Sequence, residues 1–340
     1  MINRILSDEL NMELYPRLVG DVGGTNARFA IETAAGCFEA SAIYPNKYFA
    51  GFSDVLRYYL LQEKAVSAGS GKLKYAAVAI ANPIEGDWIK MTNSAWAFSI
   101  ESVRAEFGFE VFLMVNDFTA LAMSLPSLPP ACARQCGGNK AKKERPIGLI
   151  GAGTGLGVSG LIPAHDVWIP LEAEGGHVTF SPFDELEIDI LELAGKEYRH
   201  VSAERFLSGR GIEFLYELLS EIKEGERRSL SARDIIERAS VEKNGLCDQV
   251  IDVFCKMFGT VAANLALTLG AKGGVYIGGG IIPRLGERFL VSGFRKRFED
   301  KGRFSGYLAE IPVFVITDTY AAFGGVSLLL NNYLKRNSVA

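Results

Sequence analysis

Two glycine-rich segments of the chain follow one pattern. Residues 18–31 read LVGDVGGTNARFAI, and residues 149–162 read LIGAGTGLGVSGLI. Aligned without gaps, they share a first leucine, a last isoleucine and two matched glycines. Each segment begins a region in which β-type runs come first and helical patterns later, as is typical of an α/β domain. The chain is therefore expected to consist of two related α/β halves, each opened by a glycine-rich hairpin.

The length of the chain agrees with two domains. At 340 residues it exceeds the usual size of one hydrophobic core. A polar, Pro-rich stretch at 126–145 separates the halves, as a linker or long loop would. The last helix, from about Ala321 to Leu334, is expected to pack back on the first half. We therefore predict a small domain at 1–127 plus 318–340 and a large domain at 128–317.

Hydrophobic patterns place the main elements of both halves. Short runs rich in β-branched residues predict strands, and apolar residues at helical spacing predict helices. The predicted strands include CFEASAIYP, YAAVAI, VFLMV, IGLIG, GGVYIGGG and IPVFVIT, the last ending its sheet. The predicted helices include FSDVLRYYLLQEK, FTALAMSL, IEFLYELLSEI, a buried DVFCKMFGTVAANLALTL and one opened by Pro283.

Composition excludes several classes of function. A net charge of −4 gives no electrostatic reason to bind nucleic acid or an anionic membrane. The five cysteines are scattered, which argues against a disulfide framework or a structural zinc site. The N-terminal segment has acids where a signal peptide needs an apolar core, and no run of about 18 apolar residues occurs. We expect a cytoplasmic protein with small-molecule partners.

The first glycine pair has two interpretations. In one, Gly23 and Gly24 provide the positive φ of a tight hairpin. In the other, they let backbone N–H groups approach a phosphate, with Thr25 and Asn26 nearby. Arg28 would then lie near the phosphate, and Asp21 would face a metal ion bound to it. A Rossmann dinucleotide site does not fit the second segment, because VSGLIP and not a helix follows its glycines.

Two such hairpins could hold one polyphosphate, which makes phosphoryl transfer the leading class of reaction. The second loop would be Gly153, Thr154 and Gly155. The segment Gly278 to Gly280 would let a flat base lie against the backbone, or it merely turns a strand into a helix. Both interpretations remain open at this point.

A hydroxyl acceptor needs a general base, and Asn116 and Asp117 directly follow a predicted strand. The alternative for Asp117 is an N-cap of the next helix. Glu174 and His177 flank two glycines, and Glu204 lies in HVSAERFLSG. Each alone is compatible with an ordinary surface or structural role. Together with the strand-end pair, they are the groups that can hold several sugar hydroxyls.

Six ordered motifs carry a resemblance to a known family. They are DVGGTNARFAI, NPIEGDWIKMTNSAWAFSI, VNDFTALA, GAGTGLGV, EGGHVTFSP and VSAERFLSG. In this order and spacing, from about Leu18 to near Leu330, the chain closely resembles the bacterial, ATP-dependent glucokinase family. The resemblance implies a two-domain actin-like (ribonuclease H-like) ATPase fold with an interdomain active-site cleft. It also implies phosphorylation of the glucose C6 hydroxyl by ATP with Mg²⁺, the first step of glycolysis, in a homodimer.

The resemblance assigns roles residue by residue. Asp117 corresponds to the catalytic base. The sugar-binding set comprises Asn93, Ser94, Asn116, Asp117, Glu174, His177 and Glu204. The ATP-binding set comprises Asp21, Gly23, Gly24, Thr25, Asn26, Gly153, Thr154, Gly155, Gly278, Gly279 and Gly280. Asp21 is expected to act on Mg²⁺ through water.

Three alternatives accompany this interpretation. Kinases and repressors of the related ROK family carry a cysteine-rich zinc motif after their Glu-x-Gly-His, whereas here VTFSPFDELEIDI follows His177. A non-catalytic actin-like nucleotide-binding or regulatory protein, or a phosphatase of the same superfold, would not need the sugar-binding set. A sugar kinase of broader specificity, acting on mannose or an amino sugar, remains open, because the choice among hexoses depends on fine differences in fit.

Overall fold

A computed structural model describes residues 14–91, 94–165 and 167–337 of the chain. Backbone contacts divide them into two compact units. Unit 1 contains the residues up to Leu128 and those from Thr319 onward, and unit 2 runs from Pro129 to Asp318. Unit 1 is therefore discontinuous in sequence, whereas unit 2 is one continuous segment.

The first part of unit 1 contains groups of strands separated by helices. Its elements are β1 (Arg17–Val22), β2 (Asn26–Ala34), β3 (Cys37–Pro45), α1 (Phe52–Leu60), α2 (Glu63–Ser67), β4 (Tyr75–Ile80), β5 (Trp88–Lys90), β6 (Ala97–Ser99), α3 (Ile100–Phe107), β7 (Val111–Asn116) and α4 (Asp117–Ser124). The main sheet has the order β3-β2-β1-β4-β7, and β5 pairs with β6 apart from it. Strands β1, β4 and β7 are parallel, so their carboxyl ends meet at one edge.

Unit 2 has the second sheet and most of the helices. Its elements are β8 (Ala133–Gln135), β9 (Ile147–Ala152), β10 (Leu156–Ala164), β11 (Val167–Leu171), α5 (Glu185–Glu197), α6 (Gly209–Glu224), α7 (Ala232–Val241), α8 (Leu246–Leu269), β12 (Val275–Gly278), α9 (Ile281–Leu285), α10 (Glu287–Leu290), α11 (Phe294–Glu299), α12 (Ser305–Glu310) and β13 (Val313–Ile316). The sheet order is β11-β10-β9-β12-β13-β8. Strands β9, β12 and β13 are parallel.

The duplication predicted from the two glycine-rich segments is confirmed by the strand orders. In each unit, an antiparallel hairpin is extended by a third strand on one side and by two parallel strands on the other. Strand β8 is the exception. It pairs with β13 and occupies the edge, so the prediction that IPVFVIT ends the sheet was wrong. Segment 126–145 is thus more than a linker, and its three-residue strand is too short to produce a hydrophobic pattern.

The last helix of the described residues, α13 (Ala321–Asn337), belongs to unit 1, as predicted. Its Phe323 and Val326 pack against strand residues such as Val19 and Ala77. A Cβ on Gly325 would overlap with the carbonyl oxygen of Ala120 in α4, so the two helices are in backbone contact.

Helix α8 is the only helix of the described residues that is long and apolar enough to cross a membrane by length and composition. Of its most apolar window, 72% is buried inside the protein. Phe254 and Phe258 are part of the unit 2 core. Its apolar surface is therefore accounted for by packing, as predicted for a buried helix. Helix α9 begins at Ile281, two residues before the predicted opening at Pro283.

Candidate active site

The first glycine loop, residues 23–25, joins β1 to β2. The N–H of Gly23 donates to the carbonyl oxygen of Asn26 at 3.0 Å and closes the turn. Gly23 does not have a positive φ, and a Cβ there would meet only the Asn26 oxygen, at 3.8 Å. The prediction that Gly23 provides a positive φ was therefore wrong. The turn itself would tolerate a side chain at this position. A physical reason for a glycine is therefore the open space that it leaves beside the loop.

Asn46 supports this loop through two hydrogen bonds. It follows β3 and is only 5% exposed. Its Nδ2 donates to the carbonyl oxygen of Gly23 at 2.8 Å, and its backbone N–H donates to that of Thr25 at 2.9 Å. These bonds turn the loop carbonyls toward the protein. Asn46 was not predicted from the sequence, because Pro-Asn after a strand indicates only a turn.

Asp21 and Arg28 face each other directly across the hairpin. Nη1 of Arg28 lies 2.9 Å from Oδ2 of Asp21. Burial raises the pKa of the Asp21 carboxyl, and the charge and hydrogen bond of Arg28 lower it, with burial the larger effect. One carboxylate oxygen of Asp21 is therefore already paired with the guanidinium of Arg28 on the neighbouring strand.

Asn116 and Asp117 lie where β7 becomes α4. Asn116 is the N-cap, and its Oδ1 accepts from the N–H groups of Phe118 and Thr119 at 3.0 and 3.1 Å. Asp117 is the first helical residue, and its Oδ1 accepts from Phe118 at 2.8 Å. The capping role that was an alternative for Asp117 therefore belongs to Asn116. A helix N-terminus favours negative charge, so this position suits an ionised carboxylate.

Asn82, which was not predicted from the sequence, lies at the same edge, after β4. In register, β4 lies between β1 and β7. Nδ2 of Asn116 points to the carbonyl oxygen of Asn82 at 3.5 Å. The Oδ1 of Asn82 is buried without a hydrogen-bond partner among the described residues. The rule that parallel strands end at one edge could have indicated this residue.

Segment 91–96 joins β5 and β6. Asn93 lies outside the described residues, so its predicted position in the pocket has no structural account. Ser94 is partly buried, and its Oγ accepts from the N–H of Trp96 at 3.4 Å. Trp96 is buried and donates through Nε1 to Phe49 at 3.2 Å. Ser94 thus lies on a turn that the hydrogen bond from Trp96 to Phe49 holds in place.

The second glycine loop, residues 153–155, joins β9 to β10. The N–H of Gly153 donates to Gly155 at 2.8 Å, and the N–H of Gly209, at the start of α6, donates to the carbonyl oxygen of Gly153 at 2.8 Å. A Cβ on Gly153 would meet no described protein atom within 4 Å. As at Gly23, the chain does not require a glycine here for its own packing.

Glu174, His177 and Glu204 lie on adjoining segments of unit 2. Glu174 precedes a short 3₁₀ helix, Gly175–His177, and both Glu174 and His177 are exposed. The N–H of Ala203 donates to Val178 at 2.9 Å, which joins this segment to the one that carries Glu204. The structure thus brings the three predicted sugar ligands of unit 2 together, beside the second glycine loop.

The triple glycine lies at the end of β12, next to β9, with Gly278 opposite Gly151. Gly279 has a φ of +78°, and a Cβ there would overlap with the carbonyl oxygen of Ala152. For Gly279 the strand-to-helix turn is therefore sufficient reason for a glycine. A Cβ on Gly280 would meet nothing within 4 Å among the described residues, so its missing side chain leaves open surface.

Comparisons with known proteins agree with this arrangement. A family model described as Glucokinase matches residues 18–333. A glucokinase of Neisseria meningitidis serogroup C is 49% identical over 321 residues, which is 94% of this chain and 96% of that protein. The crystal structure of a glucokinase from an Antarctic psychrotroph has a TM-score of 0.82 at 33% identity, covering 93% of this chain and 99% of that one.

A solved structure with much lower sequence identity has a similar fold. The glucokinase from Balamuthia mandrillaris, solved in complex with glucose, has a TM-score of 0.76 at 18% identity and covers 97% of this chain and 99% of that chain. At this identity the similarity concerns the fold alone. Because the family model matches nearly the whole chain and a relative shares about half of its residues, the chain belongs to the glucokinase family, with its two-domain actin-like fold and its ATP-dependent phosphorylation of glucose.

Proposed function

We propose that Asp117 is the general base when this glucokinase family member transfers the γ-phosphoryl group of ATP to the C6 hydroxyl of glucose. The observation that carries the proposal is the arrangement at the end of β7. Asn116 caps α4 with its own side chain, so Asp117 is not needed as the cap. Its carboxylate takes the hydroxyl proton as the sugar oxygen attacks phosphorus, and ADP leaves.

The sugar is bound by groups that match hydroxyls. Glu174 and Glu204 accept hydrogen bonds, and His177 donates or accepts according to its tautomer. The Oδ1 of Asn116 already accepts two backbone N–H groups, and its Nδ2 points one hydrogen to Asn82, so this residue offers the other Nδ2 hydrogen to the sugar. Asn93 and Ser94 complete the proposed set. The proposal requires that residues of both units act on the same pair of substrates.

The nucleotide is bound by backbone groups where side chains are missing. Gly23 and Gly153 leave open space beside the two glycine loops, which suits the close approach of phosphates. Gly24, Thr25, Thr154 and Gly155 belong to the same two loops, and Asn26 directly follows the first as the start of β2. Gly280 leaves open surface for the adenosine, with Gly278 and Gly279 forming the turn that presents it.

Mg²⁺ fits the donor set at Asp21. This ion prefers hard oxygen ligands and usually keeps several of its waters while bridging phosphates. Arg28 holds Oδ2 of Asp21, which argues against a bidentate bond and supports contact through the ion's water shell. When bound, Mg²⁺ supplies neutralisation of phosphate charge. Asp21 would orient the hydrated ion when it is bound, and Arg28 would orient Asp21.

The wider setting follows from the same family membership. We propose that units 1 and 2 are the small and large domains of the family, and that the protein acts as a homodimer in the cytoplasm, in the first step of glycolysis. Sedimentation at concentrations on both sides of the micromolar range tests the dimer. A single species of monomer mass throughout would contradict it.

A coupled assay tests the proposed reaction. The purified protein is offered glucose, mannose, fructose and glucosamine, each with ATP, ADP or polyphosphate, with and without Mg²⁺. The expected result is formation of glucose 6-phosphate that depends on both ATP and Mg²⁺. Greater turnover of mannose or glucosamine would favour the broader sugar kinase, and no sugar-dependent release of ADP would contradict the proposal.

A further inference from the structure

The carboxylate of Glu204 is in direct contact with the second glycine loop. The N–H of Leu156, the residue that directly follows the loop, donates to Oε2 of Glu204 at 2.8 Å. A Cβ on Gly155 would lie 2.5 Å from the same oxygen. Gly155 is thus a glycine because Glu204 occupies the space of its side chain, in contrast to Gly153 in the same loop.

Leu156 also contacts the other sugar-binding segment. A Cβ on Gly176 would overlap with the carbonyl oxygen of Leu156, so these two backbones are in contact. Gly176 lies between Glu174 and His177. One residue therefore meets Glu204 through its N–H and the Glu174–His177 segment through its C=O. The loop that the proposed function assigns to phosphate is held by the segments assigned to sugar.

We propose that Glu204 positions the second glycine loop as well as binding sugar, so that glucose and ATP strengthen each other's binding through it. The inference rests on the proposed function for the sugar-binding role of Glu204. Sugar hydroxyls that donate to the carboxylate fix its rotamer, and a fixed carboxylate holds the N–H of Leu156. A loop that is already ordered loses less entropy when phosphates bind. By linkage, ATP must then strengthen glucose binding by the same factor.

Two alanine variants of the same loop separate this effect from general damage. Gly155→Ala displaces the Glu204 carboxylate, whereas Gly153→Ala adds a methyl group in open space. Neither glycine has a positive φ, so neither variant is strained by backbone conformation. Calorimetry measures the Kd of glucose alone, and then the Kd of a non-hydrolysable ATP analogue with and without saturating glucose.

In the wild type we expect glucose to tighten binding of the analogue about fivefold or more, as is common for coupled sites. In Gly155→Ala, glucose should bind about tenfold more weakly, since a charged contact is displaced, and the tightening should fall below about twofold. Gly153→Ala should keep the glucose Kd and the tightening, although its methyl group can weaken binding of the analogue itself. Equal tightening in Gly155→Ala and the wild type would overturn the inference.

A second pair of variants keeps the test decisive if Gly155→Ala does not fold. Glu204→Ala should weaken binding of the analogue about threefold to tenfold even without glucose, because the N–H of Leu156 loses its acceptor. Glu174→Ala, the matched control, removes a proposed sugar ligand and should leave that affinity unchanged. Equal affinities for the analogue in the two variants would contradict the positioning role. A wild type that fails to phosphorylate glucose would instead contradict the proposed function.

Discussion

Replacing Asp117 with asparagine separates catalysis from capping. The side chain keeps its size, and an amide oxygen still accepts from the N–H of Phe118, as Oδ1 does now at 2.8 Å. The cap is untouched, because it is made by Asn116. What disappears is the negative charge at the first turn of α4 and the ability to take a proton.

The two losses differ in size. A charge at a helix N-terminus contributes about 0.3–1 kcal/mol to stability, which for a unit of this size lowers Tm by about 1–4 °C. Loss of a general base slows a reaction about 10²–10⁴-fold, or roughly 3–5 kcal/mol in the activation barrier. Asp117→Asn should therefore retain its fold and glucose binding, and lose almost all turnover.

The matched control is Asn116→Ala, one residue earlier. Removing an N-cap costs about 0.5–2 kcal/mol, so this variant should melt at a lower temperature than Asp117→Asn yet keep much more of its kcat. Thermal melts, glucose calorimetry and the coupled assay give the three numbers for each variant. If Asp117→Asn retains turnover within tenfold of the wild type, Asp117 is not the base and the proposal loses its central residue.

Three further predictions follow from buried groups. Asn46→Ala should raise the KM for ATP about fivefold to a hundredfold, because the Gly23 carbonyl of the first glycine loop loses its donor. An unchanged KM would show that Asn46 does not support ATP binding through this loop. Arg17→Met leaves the fully buried Glu32 without its ion-pair partner at 2.6 Å. This variant should lower the free energy of unfolding, measured in urea, by about 3–5 kcal/mol. A loss below about 1 kcal/mol would contradict the prediction. Burial raises the pKa of the Cys255 thiol to about 12, so iodoacetamide should label the exposed Cys37 in the native protein and Cys255 only after denaturation. Equal labelling rates, read by mass spectrometry, would refute the last prediction.

Local patterns were sufficient for the elements that carry them. The run 37–45 was predicted residue for residue as β3, and 75–80 as β4, because each is a β-rich run with a clear end. Strand β8 could not be predicted, since its three residues are a strand only by pairing with β13. Pairing between distant residues leaves no mark on so short a run.

The reasons for individual glycines were also beyond sequence reasoning. Gly279 and Gly280 are neighbours in one triplet, yet only Gly279 is required by the backbone, because Ala152 lies against it. Likewise, Gly155 differs from Gly153 through Glu204, which is far away in sequence. The motif predicts that small residues are needed at the site, and the packing shows which of them leave space for a ligand.

The duplication explains why the two units share a strand order, but not which of their residues carry the proposed chemistry. Residues 111–117 read VFLMVND, and residues 313–318 read VFVITD. Aligned from the first residue of β7 and of β13, Asp318 occupies in unit 2 the place that Asn116 occupies in unit 1. Their surroundings differ. Asn116 caps α4, whereas Asp318 lies beside Cys132, next to β8, where burial and then the Asp318 charge raise the pKa of the Cys132 thiol. Strand β8 has no counterpart in the unit 1 sheet. The repeated strand order therefore places a polar residue at both strand ends, and the added strand gives the unit 2 residue a different neighbour. The strand order therefore does not by itself select the proposed general base. In unit 1 the residue that matches Asp318 caps a helix, and Asp117, the proposed base, follows it as the first helical residue.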